Sequence, residues 1–193
     1  MADRKTDRRT IKTRRAIFDG LAALLTEKEL GSITVQELSD KADVHRVTFY
    51  KHFMDIYDVY EQLEKLILSE IGLLLTEFGE KTPAEVYPSV FKYIRENPGY
   101  FKMILSPHNT STLYQKLLKM VEGLNRVIWS ESVGFDMNDG RAECVIRYHS
   151  NGCLAILAGW VEGNFSLPEE FISKTLSELD QSTKNYLTSL FAK

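Results

Sequence analysis

The side chains best suited to chemistry are concentrated in one short segment, from His45 to His52. At helical spacing, its polar members project outward, whereas Phe49 and Phe53 face inward. The outward-facing residues are His45, Arg46, Thr48, Lys51 and His52. When a second short helix precedes such a segment, the N-terminal residues of the segment can face base edges in the major groove of DNA.

A second candidate for chemistry is the pair His149 and Cys153, whose four-residue spacing could hold a thiophilic metal on one helix face. Cys144 lies five residues before His149. Because the sequence has no Cys-x-x-Cys pair and no second histidine nearby, buried free thiols are the favoured interpretation. A redox role for Cys153 would need a lowered thiol pKa. We therefore expect no metal and no cofactor.

Catalytic motifs are missing from the sequence. It contains no Gly-x-Ser-x-Gly, no His-Glu-x-x-His, no P-loop and no dinucleotide-binding fingerprint. Its four histidines are scattered, and two of them lie in the His45–His52 segment. The sequence therefore argues against an enzyme.

Helical periodicity dominates the chain and would position these groups. Ile11, Phe18, Leu21 and Leu25 share one face of a first helix, which Gly31 follows. Capping boxes at Thr34–Glu37 and Thr82–Glu85 open further helices, and the segment Ser166–Glu169 is expected to cap the last one. No segment alternates over strand length, so the predicted fold class is all-α, with eight to ten helices.

Composition and charge limit the class of protein. The 193 residues are 44% hydrophobic and 26% charged, which is typical of a globular chain. The longest apolar run is too short for a membrane span, and two cysteines favour a cytoplasmic location over a disulfide scaffold. The first 53 residues carry a net charge of +3 and the remainder −6. The basic arm from Arg4 to Arg15 is either a polyanion-binding element or a solvated tail.

Two short helices joined by a turn at Asp43 and Val44 predict a helix-turn-helix. The segment from Ile33 to Phe53 resembles that of the TetR family of transcriptional regulators, with its Thr-Val opening and its Tyr-x-His-Phe close. The resemblance extends from about Thr10 to Tyr60. The stretch from Phe91 to Phe101, followed by Gly159-Trp160, resembles the C-terminal region of the subgroup that includes the dihydroxyacetone-kinase operon activator.

The resemblance implies a three-helix DNA-binding domain over residues 1–54, with the basic arm. A larger helical domain over residues 55–193 would bind an effector and dimerise through a four-helix bundle. The protein would then bind double-stranded, palindromic DNA as a homodimer. The implied DNA-binding residues are Thr34, His45, Arg46, Val47, Thr48, Tyr50, Lys51 and His52.

Roles within this set also follow from the resemblance. Arg46 and Thr48 would read base edges, and His45 could contact either bases or phosphates. Thr34 and the amides of its helix would hold one phosphate, and Tyr50, Lys51 and His52 would contact others.

Three positions depart from the family pattern. Asp43 replaces the usual turn glycine, but aspartate tolerates the left-handed conformation better than most residues. Val47 replaces a small residue and could contact a thymine methyl or be buried. Ile56 replaces a lysine, which removes one phosphate contact that the basic arm could supply.

The last two helices are the predicted dimer interface. Gly152, Ala155 and Gly159 form a small-residue stripe that would let two helices approach closely. The apolar residues expected to complete the bundle are Val145, Tyr148, Ile156, Trp160, Leu176, Leu179, Tyr186, Leu187 and Leu190. Packing of these helices inside one subunit is the alternative.

A small-molecule pocket is predicted within the C-terminal region. Its candidate lining residues, which could also be plain core, are Phe91, Ile94, Phe101, Ile104, Tyr114, Leu117, Trp129 and Tyr148. The alternative function is an interaction module whose C-terminal region binds a protein partner instead of a small ligand. The sequence specifies neither the operator, nor the effector, nor whether the outcome is repression or activation.

Overall fold

The structure is a computed structural model that describes residues 2–77, 81–105, 112–136 and 138–192. These residues contain nine α-helices and no strand, which confirms the all-α prediction. The helices are α1 Ala2–Leu25, α2 Val35–Lys41, α3 Arg46–Phe49, α4 Ile56–Thr76, α5 Pro83–Glu96, α6 Pro98–Leu105, α7 Thr112–Val133, α8 Gly140–Glu162 and α9 Glu169–Phe191.

The structure tests two of the predicted helix caps. The capping box at Thr82 and Glu85 is present, with both reciprocal hydrogen bonds. The expected cap at Ser166 is wrong, because Pro168 occupies the N-cap of α9 and no side chain caps this end. The chain turns immediately before, where Asn164 and Phe165 adopt φ values of 49° and 59°, so helical backbone begins only at Glu169.

The chain forms two compact units. Unit 1 contains the described residues of Met1–Ile67 and Pro98–Ser111, and unit 2 contains those of Leu68–Asn97 and Thr112–Lys193. The sequence-based boundary after residue 54 therefore falls inside unit 1. Helix α4 begins in unit 1 and ends in unit 2.

Unit 1 is organised around α1, which packs against both α2 and α6. Gly20 allows the close approach of α2, because a Cβ atom at this position would lie 3.2 Å from Leu38 Cδ1. On α6, Tyr100 is buried and its ring lies 4.8 Å below the Arg15 guanidinium. Ile11 is 58% exposed, so the apolar face of α1 begins later than the sequence pattern indicates.

Unit 2 is formed by α5, α7, α8 and α9, with α9 contacting each of the other three. Asp139 caps α8 by accepting hydrogen bonds from the amides of Arg141 and Ala142. The core has one aromatic group around Trp160, whose ring lies 5.2 Å from Phe91. A second group contains Trp129, Phe135, Ala142, Ile146 and Leu187. No helix in the described residues is long and apolar enough to cross a membrane.

Candidate nucleic-acid interface

The helix pair α2–α3 begins with a capped turn. The Thr34 hydroxyl accepts a hydrogen bond from the Glu37 amide at 3.2 Å, as the sequence predicts. The Glu37 carboxylate accepts a hydrogen bond from Lys28 Nζ at 2.5 Å, and this contact lowers the pKa of Glu37. The start of α2 is thereby tied to the segment that follows α1.

The turn between α2 and α3 depends on Asp43. Its φ of 52° lies in the left-handed region, and the neighbouring Val44 amide donates a hydrogen bond to Ser39 O at 2.9 Å. Aspartate is one of the few non-glycine residues that visit this region routinely. The conformation predicted for the residue that replaces the family's turn glycine is therefore present.

Helix α3 is shorter than predicted, with four residues and His45 at its N-cap. Phe49 and Phe53 are 0% and 2% exposed, and their ring centroids lie 5.9 Å apart. These two rings hold one face of the segment in the core of unit 1. The rest of the segment is thereby turned outward.

The outward face contains most of the predicted DNA-binding residues. Val47 is 64% exposed, so the burial considered for it does not occur, and Tyr50 is 53% exposed. Thr48 and His52 are half-buried, and the remaining members, Thr34, His45, Arg46 and Lys51, are exposed. All eight predicted residues thus lie in one helix-turn-helix, with none fully buried.

The outward face carries the positive charges of Arg46 and Lys51. Within the described part of the chain, the guanidinium of Arg46 and the ammonium of Lys51 form no ion pair or side-chain hydrogen bond. Partial burial, together with the nearby charges of Arg14 and Lys51, lowers the pKa of His52. The face therefore offers positive charge and unused donors to an anionic partner.

The basic arm divides into two groups. The Arg14 side chain contacts other residues of the protein. Its guanidinium lies 4.8 Å from the centroid of the Phe53 ring and donates a hydrogen bond to Gln62 Oε1 at 2.5 Å. Arg8, Arg9 and Lys12 are exposed on the same helix. The side chains of Arg4 and Lys5 lie outside the described residues. Arg14 therefore joins α1, α4 and the end of the helix-turn-helix, and the three exposed cations remain candidates for phosphate contacts.

The predicted pocket residues are distributed over both units. Phe101 and Ile104 lie on α6 in unit 1, whereas the others lie in unit 2. Phe91, Ile94, Leu117 and Trp129 are buried, Tyr114 is half-buried, and Tyr148 is 83% exposed. An open groove of about 490 Å³ between α5 and α9 is lined by Pro88 and residues of α9, and by none of the eight predicted residues.

The predicted dimer residues also separate into two groups. Trp160, Leu176 and Leu187 are buried within unit 2, as in the alternative of packing inside one subunit. An exposed stripe on α8 contains Tyr148, Gly152, Ala155 and Gly159, and Leu179 and Tyr186 are exposed on α9. Val145, Ile156 and Leu190 are half-buried.

Sequence reasoning identified His149 and Cys153 but missed Asp180. His149 contacts Asp180 and Thr183 on α9 as well as Cys153 on its own helix. The four-residue spacing of His149 and Cys153 was the only signal in the sequence. Asp180 lies 31 residues beyond His149, and no local pattern links two residues that far apart.

Comparisons with known proteins match this chain to transcriptional regulators. Residues 81–182 match the family model TetR_C_8, described as "Transcriptional regulator C-terminal region". The HTH-type transcriptional regulator AcrR of Shigella flexneri is 32% identical over 82 residues, which are 42% of this chain and 38% of AcrR. The match thus spans about two fifths of that relative's length.

Two solved structures have a similar fold. A tetR-family transcriptional regulator from Streptomyces coelicolor aligns with a TM-score of 0.62 and 16% identity, covering 92% of this chain and 81% of that one. The dihydroxyacetone kinase operon activator DhaS aligns with a TM-score of 0.54 and 16% identity, covering 92% and 95%. Because the family model covers more than half of the sequence, this chain belongs to the TetR family of transcriptional regulators.

Proposed function

We propose that the protein reads a specific DNA sequence through α3 and binds a palindromic operator as a homodimer. The observation that carries this proposal is the outward face of α3. Buried Phe49 and Phe53 hold the segment in place, while the exposed Arg46 forms no ion pair or side-chain hydrogen bond with the residues that the structure describes. An arginine at the start of a short helix, held in this way, can donate two hydrogen bonds to guanine in the major groove.

The phosphate contacts in this proposal come from two sources. Lys51, Tyr50 and His52 follow the base-reading residues along the chain, and Thr34 caps the preceding helix. Such contacts fix the register of a protein on DNA without reading its sequence. The exposed cations Arg8, Arg9 and Lys12 supply further neutralisation, in place of the lysine that Ile56 replaces.

Selection from a random duplex library tests sequence reading. We expect enrichment of one palindromic sequence, followed by a steep loss of affinity with salt when the selected duplex is titrated. Absence of enrichment from a folded, dimeric protein would contradict the proposal. In that case the protein-partner alternative, tested by capture of a defined partner on the full-length chain, becomes the better account.

The homodimer is supported by the exposed stripe on α8. Its small residues would allow a helix of a second copy to approach closely, and Tyr148 and Tyr186 would add apolar area. Ala155→Arg places a charge in the middle of this stripe. We expect it to halve the mass measured by sedimentation, whereas Gln115→Arg on an exposed position of α7 leaves the mass unchanged. Equal masses for both variants would refute this interface.

An effector is the remaining part of the proposed function. A ligand can change DNA affinity only through different affinities for the DNA-bound and free states, typically by about 1–3 kcal/mol. Helix α4, which begins in unit 1 and ends in unit 2, is the continuous element that would connect the two events. A small molecule that raises the melting temperature and shifts DNA affinity by the matching factor would support this route. If compounds that raise the melting temperature leave DNA affinity unchanged, this route is wrong.

A further inference from the structure

Unit 2 contains a polar cluster that the proposed function does not use. It is formed by His149 and Cys153 on α8, Asp180 and Thr183 on α9, and Tyr87 on α5. His149 is 5% exposed and the Asp180 side chain 13%. A buried imidazole beside a half-buried thiol and a half-buried carboxylate needs hydrogen bonds from these neighbours or a bound ion.

Three atoms of the cluster converge as metal ligands do. His149 Nε2 lies 2.6 Å from Asp180 Oδ1 and 3.3 Å from Cys153 Sγ. The three atoms all lie within 4.8 Å of one another. Ligand bonds of about 2.0–2.3 Å place tetrahedral ligands roughly 3.3–3.8 Å apart. A metal therefore requires the His149–Asp180 contact to open, while the His149–Cys153 distance already lies in this range.

Thr183 and Tyr87 form hydrogen bonds with the ligand side chains, as the neighbours of metal ligands commonly do. The second ring nitrogen of His149, Nδ1, lies 3.0 Å from the Thr183 hydroxyl oxygen. The Tyr87 hydroxyl donates a hydrogen bond to Asp180 Oδ2 at 2.7 Å, leaving Oδ1 to face His149. Partners of this kind fix the ring and carboxylate orientations of metal ligands. The Trp129 ring packs edge-to-face on His149 and restricts the imidazole further.

The charges of the three groups match a divalent cation. A thiolate, a carboxylate and a neutral imidazole carry a total charge of −2, so a 2+ ion makes the buried site neutral. The ion binds the thiolate form of Cys153, so the thiol proton is released to solvent with no redox change.

We propose that His149 Nε2, Cys153 Sγ and Asp180 Oδ1 bind one divalent transition-metal ion of the zinc class. Sulfur and nitrogen ligands select zinc, cobalt or cadmium over magnesium and calcium, which prefer oxygen. Three protein ligands leave a fourth position for water or an exogenous ligand. This proposal departs from the expectation from sequence that no metal is held, because the third ligand comes from a different helix.

Cobalt titration of the full-length protein tests the site. The protein is prepared without a polyhistidine tag, reduced and free of metal, and Co²⁺ is added while the thiolate-to-cobalt charge-transfer absorption is recorded. We expect saturation at one equivalent per chain and displacement of the cobalt by Zn²⁺. A folded parent protein without this absorption overturns the proposal.

Four variants separate the site from adventitious binding. Cys153→Ser should abolish the charge-transfer absorption, while Cys144→Ser, an exposed thiol on the same helix, should retain it. Asp180→Asn removes a ligand charge, and Tyr87→Phe removes only the outer hydrogen bond. The latter should weaken cobalt binding about 10–100-fold at unchanged stoichiometry. Identical absorption in Cys153→Ser and the parent would refute the assignment. No DNA enters these measurements, so their failure leaves sequence reading by α3 untouched.

Discussion

Replacement of Arg46 by alanine separates DNA recognition from folding. The guanidinium has no hydrogen-bond or ion-pair partner in the described residues, so its removal breaks no internal interaction. Exposed substitutions of this kind change stability by no more than about 0.5 kcal/mol. A bidentate contact to guanine contributes about 1–3 kcal/mol of discrimination. A dimer on a palindrome makes the contact twice, so we expect a loss of about 2–6 kcal/mol, or roughly 30- to 20,000-fold in affinity.

The assay is a comparison of DNA affinity by fluorescence anisotropy with thermal unfolding by circular dichroism. Arg46→Ala should lose affinity for the selected operator but keep its binding to scrambled duplex, because non-specific binding depends on phosphate contacts. Lys119→Ala removes one positive charge from an exposed position of α7 and is the matched control. Equal losses on operator and scrambled duplex, or a loss for Arg46→Ala no greater than that of the control, would refute base reading by Arg46.

Three further predictions concern the same unit. Replacing the exposed arm cations Arg8, Arg9 and Lys12 should weaken binding to all duplexes. The slope of log affinity against log salt concentration should become shallower by up to about 0.9 per lost phosphate contact. An unchanged slope would exclude the arm from the interface. The pKa of His52 is lowered in the free protein, and phosphate would raise it, so binding takes up a proton and affinity should fall as the pH rises through the ordinary histidine range near 6.5. His52→Gln should reduce this pH dependence, measured by anisotropy, and an identical profile would show that His52 does not contact DNA. Asp43→Ala places alanine at a φ of 52° and should lower stability by about 1 kcal/mol, seen as a drop of about 2–4 °C in melting temperature, while Asp43→Asn should be neutral. Equal melting temperatures for the two Asp43 variants would contradict the strain argument.

The helix-turn-helix was predictable because its signals are local. The Thr34 cap depends on an amide three residues away, and the left-handed turn depends on Asp43 alone. Phe49 and Phe53 lie four residues apart, so helical spacing alone places them on one buried face.

The remainder depends on contacts between distant parts of the chain. Tyr148 is an aromatic residue of the kind that lines pockets, yet its side chain is 83% exposed. Its burial depends on which helices pack against α8. Asp180 meets His149 only because α9 packs on α8. Periodicity identifies the apolar face of each helix, but it does not identify the helix that covers this face. The metal ligands were therefore recognisable as a pair and not as a triad.

The assembly of unit 1 from two separated stretches limits how this regulator can be recombined. Tyr100 on α6 is 1% exposed and lies under the Arg15 guanidinium of α1. A chimaera that fuses residues 1–54 to the sensor half of another regulator would replace this partner with a foreign surface and expose part of the α1 core. A fragment that is to be transferred must instead include α6, or the equivalent helix of a homologue with a compatible tyrosine. Any exchange of the C-terminal helices therefore has to keep α6, because this segment completes the core of unit 1.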